Sequence, residues 1–329
     1  MRTCAALLCL FQGEPIHSGF TIEKNGHGEG RDLVVLSWKT REGRDAATVR
    51  IPVTGLGKNP NDRIGPVSIL LEGAKDDANA HEFDTREWQW WKNYPRPVGF
   101  NADKYTRLVP ARGGADKGAG GVRAWTRYVS DDVETTQEWF FGDLPGADEA
   151  AYDCLITVKN SGAQALDEYG QFFASYTKWH AQGQFYWAAD GTVANYPKDA
   201  HLNFFVVAKG SVFEKLGRVP HCPRGGGKVK AAWRRPVSIS SPNAQGFRHV
   251  ILVEEAFAAA VTQGMGGSAQ DYVIAPPGLR LDASASFRVH VRHHFLRAPA
   301  DGLAQQLEKL WDAFSRDHAT MHRLSRPAP

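Results

Sequence analysis

Along most of the chain, apolar and polar residues alternate with a period of two, the pattern of strands that bury one face. It runs through "RDLVVLSWK" (31–39), "AATVRIPVT" (46–54), "PVSILLE" (66–72), "GVRAWTRYV" (121–129) and "ETTQEWFF" (134–141). It continues in "YDCLITVKN" (152–160), "YGQFFASYTKW" (169–179), "LNFFVVA" (202–208), "RHVILVEE" (248–255), "DYVIA" (271–275) and "ASFRVHVRHHF" (285–295). These stretches are rich in β-branched and aromatic residues, and Gly, Pro, Asn and Asp punctuate the gaps. Many strands at short spacing without helical patterns between them predict a mostly β fold, an antiparallel β-sandwich.

One segment departs from the alternation. In 301–324, Leu303, Leu307, Leu310, Trp311 and Phe314 recur at i, i+4, i+7, i+8 and i+11. That is the stripe of an amphipathic helix, with Asp301 placed to cap it and a sheet to dock on. Glycine-rich runs at 55–66, 111–121, 220–230 and 262–270 read as long loops. The organisation expected is one sandwich domain over 13–300, the helix at 301–324 and a tail at 325–329. The apolar start "MRTCAALLCLFQG" reads as a truncated secretory signal or a frayed terminus over 1–12. A secreted or periplasmic protein would follow, with Cys154 and Cys222 left to pair or stay as thiols.

Composition narrows this little. The 329 residues are 42% hydrophobic and 23% charged with a net charge of +3, ordinary for a globular protein and too small to imply nucleic acid. No apolar run is long enough to span a membrane. A local basic patch of Arg224, Lys228, Lys230, Arg234 and Arg235 surrounds Trp233; an acidic polysaccharide would suit it, and so would solvent. No G-x-S-x-G elbow is present, and "RGGGKVK" and "GMGG" fail the spacings of phosphate- and dinucleotide-binding loops.

Three histidines crowd "RVHVRHHF" (288–295). On a regular strand Val289, Val291, His293 and Phe295 share one face, and His290, Arg292 and His294 the other. His290 and His294 then stand about 13 Å apart, too far to ligate one ion. His293 reads as a core histidine, while His290 and Arg292 form a polar, cationic strip open to acid/base work. His318 and His322 share a helix face at i and i+4, but Ala319 stands where a zinc protease needs its glutamate. A divalent metal would have to be gathered from dispersed side chains such as His201, His221 and His294.

The ten tryptophans cluster. "TREWQWWKNYPRPVGF" (85–100) offers Trp88, Trp90, Trp91 and Tyr94 beside Arg86, Lys92 and Arg96. "YTKWHAQGQFYW" (176–187) offers Tyr176, Trp179, His180 and Trp187. Indole and phenol faces next to cations suit sugar rings and their carboxylates.

The strand "YDCLITVKNSGAQAL" (152–166), ending in Asn-Ser-Gly and followed by "YGQFFASYTKW", resembles the middle of galactose-mutarotase-like super-sandwich proteins. That resemblance covers about a tenth of the chain. It implies a super-sandwich and carbohydrate chemistry, and it transfers no catalytic residue.

The reading that follows is a carbohydrate-active enzyme acting on an oligo- or polysaccharide. A β-eliminating lyase needs a base, for which His180 or Tyr176 would serve. It also needs a cation against the developing charge, for which Arg248 or Arg292 is the candidate. A glycoside hydrolase needs two carboxylates, with Glu254 or Glu255, Glu168 and Asp190 in question. A non-catalytic carbohydrate-binding protein would use the same aromatics without turnover.

Overall fold

The computed structural model describes residues 19–26, 31–39, 45–52, 68–71, 84–90, 109–118, 121–130, 133–141, 149–176, 183–198, 200, 203–219, 227–242, 246–264, 269–299 and 301–324. The first strands are β1 (Gly19–Gly26), β2 (Arg31–Lys39), β3 (Asp45–Pro52), β4 (Ser68–Leu71) and β5 (Asp84–Trp90). Next come β6 (Val109–Gly118), β7 (Gly121–Ser130), β8 (Val133–Phe141), β9 (Glu149–Asn160), β10 (Leu166–Asp167) and β11 (Gly170–Tyr176). Then follow β12 (Gln184–Ala188), β13 (Val193–Asn195), β14 (Phe205–Ala208), the short helix α1 (Val212–Leu216), β15 (Val229–Ser240) and β16 (Phe247–Val253). The chain continues with β17 (Ala258–Gly264), β18 (Ala269–Ile274), β19 (Arg280–Leu281), β20 (Ser286–Arg297) and the long helix α2 (Leu303–Leu324).

Strands β1 to β4 form a sheet in sequence order, and β10 pairs with β19. The remaining fourteen strands form one sheet in the order β5-β11-β18-β17-β14-β15-β16-β20-β9-β8-β7-β6, with β12 and β13 branching from β15. Every pairing in it is antiparallel except β14 with β15. The sheet folds back on itself. Phe173, Tyr272, Val261 and Val206 from one half share a core with Trp139, Tyr152, Ile251 and Val291 from the other. Two polar ties cross that core: Gln171 Nε2 donates to Thr135 Oγ1 at 2.8 Å, and Gln270 Nε2 donates to the His249 carbonyl at 3.1 Å. The fold is therefore the mostly β, sandwich-like one that the alternation predicts.

The split of β20 into two faces holds. His293, buried with Val289, Val291 and Phe295, stacks on Tyr152 at 4.8 Å and meets His249 through Nε2···Nδ1 at 3.0 Å. Burial lowers its pKa to about 3, which keeps it a neutral core imidazole. The Asn-Ser-Gly after β9 is a structural corner. The Asn160 amide donates to the Gln164, Leu281 and Asp282 carbonyls and its oxygen accepts from the Gly162 N–H, an Asx turn that ties β9 to β19.

Two local readings change. Most of "ARGGADKGAGG" is not a loop but lies in strand β6, where Gly114 faces Trp125 of β7. A Cβ at Gly114 would meet the indole Nε1 at 3.1 Å, so glycine here makes room for a cross-strand ring rather than a turn. The basic patch is also partly engaged within the fold: Arg234 pairs with Glu308 and Arg235 with Glu255, Trp233 is buried, and Arg224 lies outside the described residues. Cys154 is a buried free thiol, and Cys222 lies outside the described residues. Among the described residues no helix is long and apolar enough to cross a membrane.

Candidate active site

Helix α2 docks on the outer face of β16, β20 and β9. Its stripe of Leu303, Leu307, Trp311 and Phe314 packs on Val250, Leu252 and Leu296, and Met321 packs on Leu155 and Phe140. Along the same seam, the polar face of β20 meets the last turns of the helix, and titratable groups gather there.

Asp153 of β9 lies opposite Arg292 in register and accepts from it twice, Nε at 2.7 Å and Nη2 at 3.0 Å. Its Oδ1 also accepts from His290 Nε2 at 2.7 Å. Burial alone would raise this carboxyl, but the His290 and Arg292 hydrogen bonds and charge overcome it and hold the pKa at about 2. Arg292 reaches on to Asp317 of the helix at 2.8 Å and lies over the Phe314 ring.

With Nε2–H of His290 given to Asp153, its Nδ1 is left facing His318 Nδ1 at 2.8 Å. Only one of those nitrogens carries the proton; a neutral His290 accepts from His318 Nδ1–H and leaves the Nε2 lone pair of His318 available as a base. Burial and the neighbouring His290 lower the His318 pKa to about 4, so this ring is neutral near pH 7.

One helical turn on, His322 Nε2 lies 3.0 Å from Glu254 Oε2, and Glu254 Oε2 also accepts from the His290 backbone N–H at 2.9 Å. Glu254 follows the last residue of β16 and is mostly buried, whereas Glu255 is turned out to Arg235. His322 opens on a cleft of about 490 Å³ lined in part by Phe257, Phe287, Arg280, Arg288 and Asp282. Arg280 is taken by Asp167 and Asp282. Arg288 donates to Thr157 Oγ1 and to the His322 carbonyl, and among the described residues it has no carboxylate partner.

The residues expected from the sequence divide accordingly. His290, Arg292 and Glu254 are brought together. His290, fully buried, acts only through its neighbours, and Arg292 is saturated by two carboxylates rather than open to a substrate. Arg248 is buried, and its guanidinium donates to the Ser240 and Ala298 carbonyls and lies over Phe185, a structural clamp rather than a group presented at the cleft. Trp187 is a correction, since it is 1% exposed and cannot present a stacking face. His294 is buried in β20. Trp88 and Trp90 lie in β5 opposite Phe172 and Gly170, and Tyr176 ends the neighbouring strand β11 opposite Asp84, away from both tryptophans. Trp91, Tyr94, Trp179, His180, His201 and His221 lie outside the described residues. Among the described residues no three His, Cys, Asp or Glu side chains gather in a way that could hold a metal ion. The sequence pointed away from His318 and His322, whose i, i+4 spacing was the available signal, and gave none for Asp153 or Arg288.

No protein-family model matches the chain, and no curated protein matches it in sequence. Among solved structures it is similar to the Slr1438 protein of Synechocystis sp. PCC 6803, at 10% identity over 86% of this chain and 98% of that one, with a TM-score of 0.45. It is similar to a galactose mutarotase-like protein from Clostridium acetobutylicum, at 7% identity over 87% of this chain and 100% of that one, with a TM-score of 0.42. A third is an alpha-N-acetylgalactosaminidase from Bifidobacterium bifidum, at 11% identity and a TM-score of 0.45, over 83% of this chain but 38% of that longer one. The likeness to galactose-mutarotase-like proteins is a weak one, at low identity and low TM-score.

Proposed function

We propose that the chain is a carbohydrate-active enzyme that works by proton transfer in the cleft beside α2, and that its reaction is β-elimination on an acidic glycan. The observation that carries this reading is the meeting at one cleft wall of Arg288 with His322, which Glu254 holds from behind. A guanidinium without a carboxylate of its own suits the carboxylate of a uronic acid, and its charge lowers the cost of removing the proton α to that group. Glu254 accepts from His322 Nε2–H, fixing the tautomer in which Nδ1 holds the lone pair that takes the proton. The electrons of the broken C–H bond form the C4–C5 double bond, the C4–O bond breaks, and the departing oxygen takes up a proton. Phe257 and Phe287, stacked at 5.7 Å, supply apolar surface for the ring.

Hydrolysis is less well served, because Asp282, the one carboxylate among the described residues lining the cleft, is engaged by Arg280. The test is incubation with neutral and uronic-acid glycans, read by mass and by absorbance of the unsaturated uronate. Elimination gives products one water lighter than hydrolysis does, and H322A and R288A each slow it by about a hundredfold or more. Products carrying the added water, or turnover unchanged in both variants, would overturn the reading. Glycan retained without any product would make the cleft a binding surface.

A further inference from the structure

Helix α2 is fastened in two different ways along its length. Over 303–314 it buries four apolar side chains, Leu303, Leu307, Trp311 and Phe314. Beyond Phe314 it buries Met321 alone. The rest of that end is held by polar contacts. Asp317 accepts from Arg292 at 2.8 Å, His318 meets His290 at 2.8 Å and His322 meets Glu254 at 3.0 Å. The His322 carbonyl accepts from Arg288 Nη1 at 3.2 Å. Two of these contacts join imidazoles, so the fastening of the end depends on protons and that of the start does not.

The His290–His318 contact is the one that acid must break. The two Nδ1 atoms face each other at 2.8 Å. One proton between them serves both, whether His318 donates to a neutral His290 or a charged His290 donates to His318. A second proton sets N–H against N–H and charge against charge. His290 cannot turn away, because its ring is fully buried and its Nε2 is held by Asp153 at 2.7 Å. His318, half-exposed on the helix, is the ring that leaves.

The surrounding charges act mostly in the same direction. Burial, then His290, His322 and Arg292, disfavour a cation at His318, while Glu254 favours one; the pKa falls to about 4. Asp317 is turned to Arg292, and Asp153 is shared by Arg292 and His290. His322 responds in the opposite sense. Gaining a proton tightens its hold on Glu254 until that carboxylate is itself protonated. His318 is therefore the first contact to go and the tip of the helix the last.

We propose that the end of α2 is an acid-released latch on the cleft: a second proton at the His290–His318 contact frees residues 315–324, and His322 leaves the cleft wall with them. The consequence for turnover rests on the reading of the cleft given above, since the released side chain is its base. The release itself does not.

Hydrogen exchange of the full chain, read by mass spectrometry without glycan, tests the release directly. Rates at pH 7 and pH 4 are corrected for intrinsic exchange and compared between 315–324 and 303–314. At pH 4 the protection of 315–324 falls by about tenfold while that of 303–314 and of β20 holds. The full difference between a folded pKa of about 4 and the ordinary 6.5 would give more, and the half-exposure of His318 reduces it. H318Q, whose amide still donates to His290 Nδ1 but takes up no proton, keeps its pH 7 protection at pH 4. H322Q, which removes the other titrating ring of the end, retains the acid response. Equal protection changes in the two halves, loss across α2 and β20 together, or an acid response that persists in H318Q overturns the proposal. Where a glycan is turned over, the acid limb of the rate moves to lower pH in H318Q. Where none is, the reading of the cleft falls and the latch is still decided by exchange.

Discussion

Asp153 and Asp271 sit in strands of the same sheet, both withdrawn from water, and the fold treats them in opposite ways. Asp153 meets a guanidinium and an imidazole and is held at about 2, while Asp271, whose oxygens have no hydrogen-bond partner among the described residues, is pushed up by burial. Burial acts in the same direction on both. What decides the sign is whether partners of the right charge stand in the adjacent strand, as Arg292 does for Asp153 and Thr262 does not for Asp271.

The comparison can be broken most sharply at Asp153. D153N strands Arg292 and His290 in the seam, and equilibrium urea denaturation should show a loss of about 3 kcal/mol. A loss under 1 kcal/mol would mean that Asp317 and solvent suffice for the arginine. Acid is the next lever. His318 and His293 have folded pKa values of about 4 and about 3, below the ordinary histidine value, so their stabilisation is whole above pH 6.5 and fades as pH falls through those values. Discounted for the half-exposure of His318, that ring contributes on the order of 1–2 kcal/mol. Asp153 adds a later loss, from its ordinary range near 3.8 down through about 2. Denaturation midpoints should therefore drop in two stages, and H318Q should flatten the first. The smallest effect is expected at the exposed pair Arg235–Glu255, where R235A should cost about 0.5 kcal/mol and less still in salt.

How much of this was legible follows from distance along the chain. The alternation in 152–160 and 285–295 disclosed both strands, the two faces of β20 and the core role of His293, because those are local facts of period two. The stripe at Leu303, Leu307, Trp311 and Phe314 disclosed α2 for the same reason. The partners of Asp153 stand 137 and 139 residues away, and no local pattern reports a pairing of that span. Nothing in "DYVIA" separates an aspartate that has partners from one that has none. Arg248 and Trp187 misled because a cation and an indole carry the same letters whether they face a ligand or a carbonyl. The glycines of β6 misled because a missing side chain marks a tight ring contact as readily as a turn.

The position of β20 has a further consequence. The last strand of the chain lies between β16 and β9, in the interior of the sheet rather than at its rim. Until synthesis reaches it, both neighbours present unpaired backbone edges, with Val250, Ile251 and Leu252 on one and Leu155 and Ile156 on the other. A nascent chain in that state is exposed to edge-to-edge association, and its assembly waits on a contact of high sequence separation. Any lesion that weakens β20 should therefore appear first as low soluble yield, before it appears as a lower melting temperature.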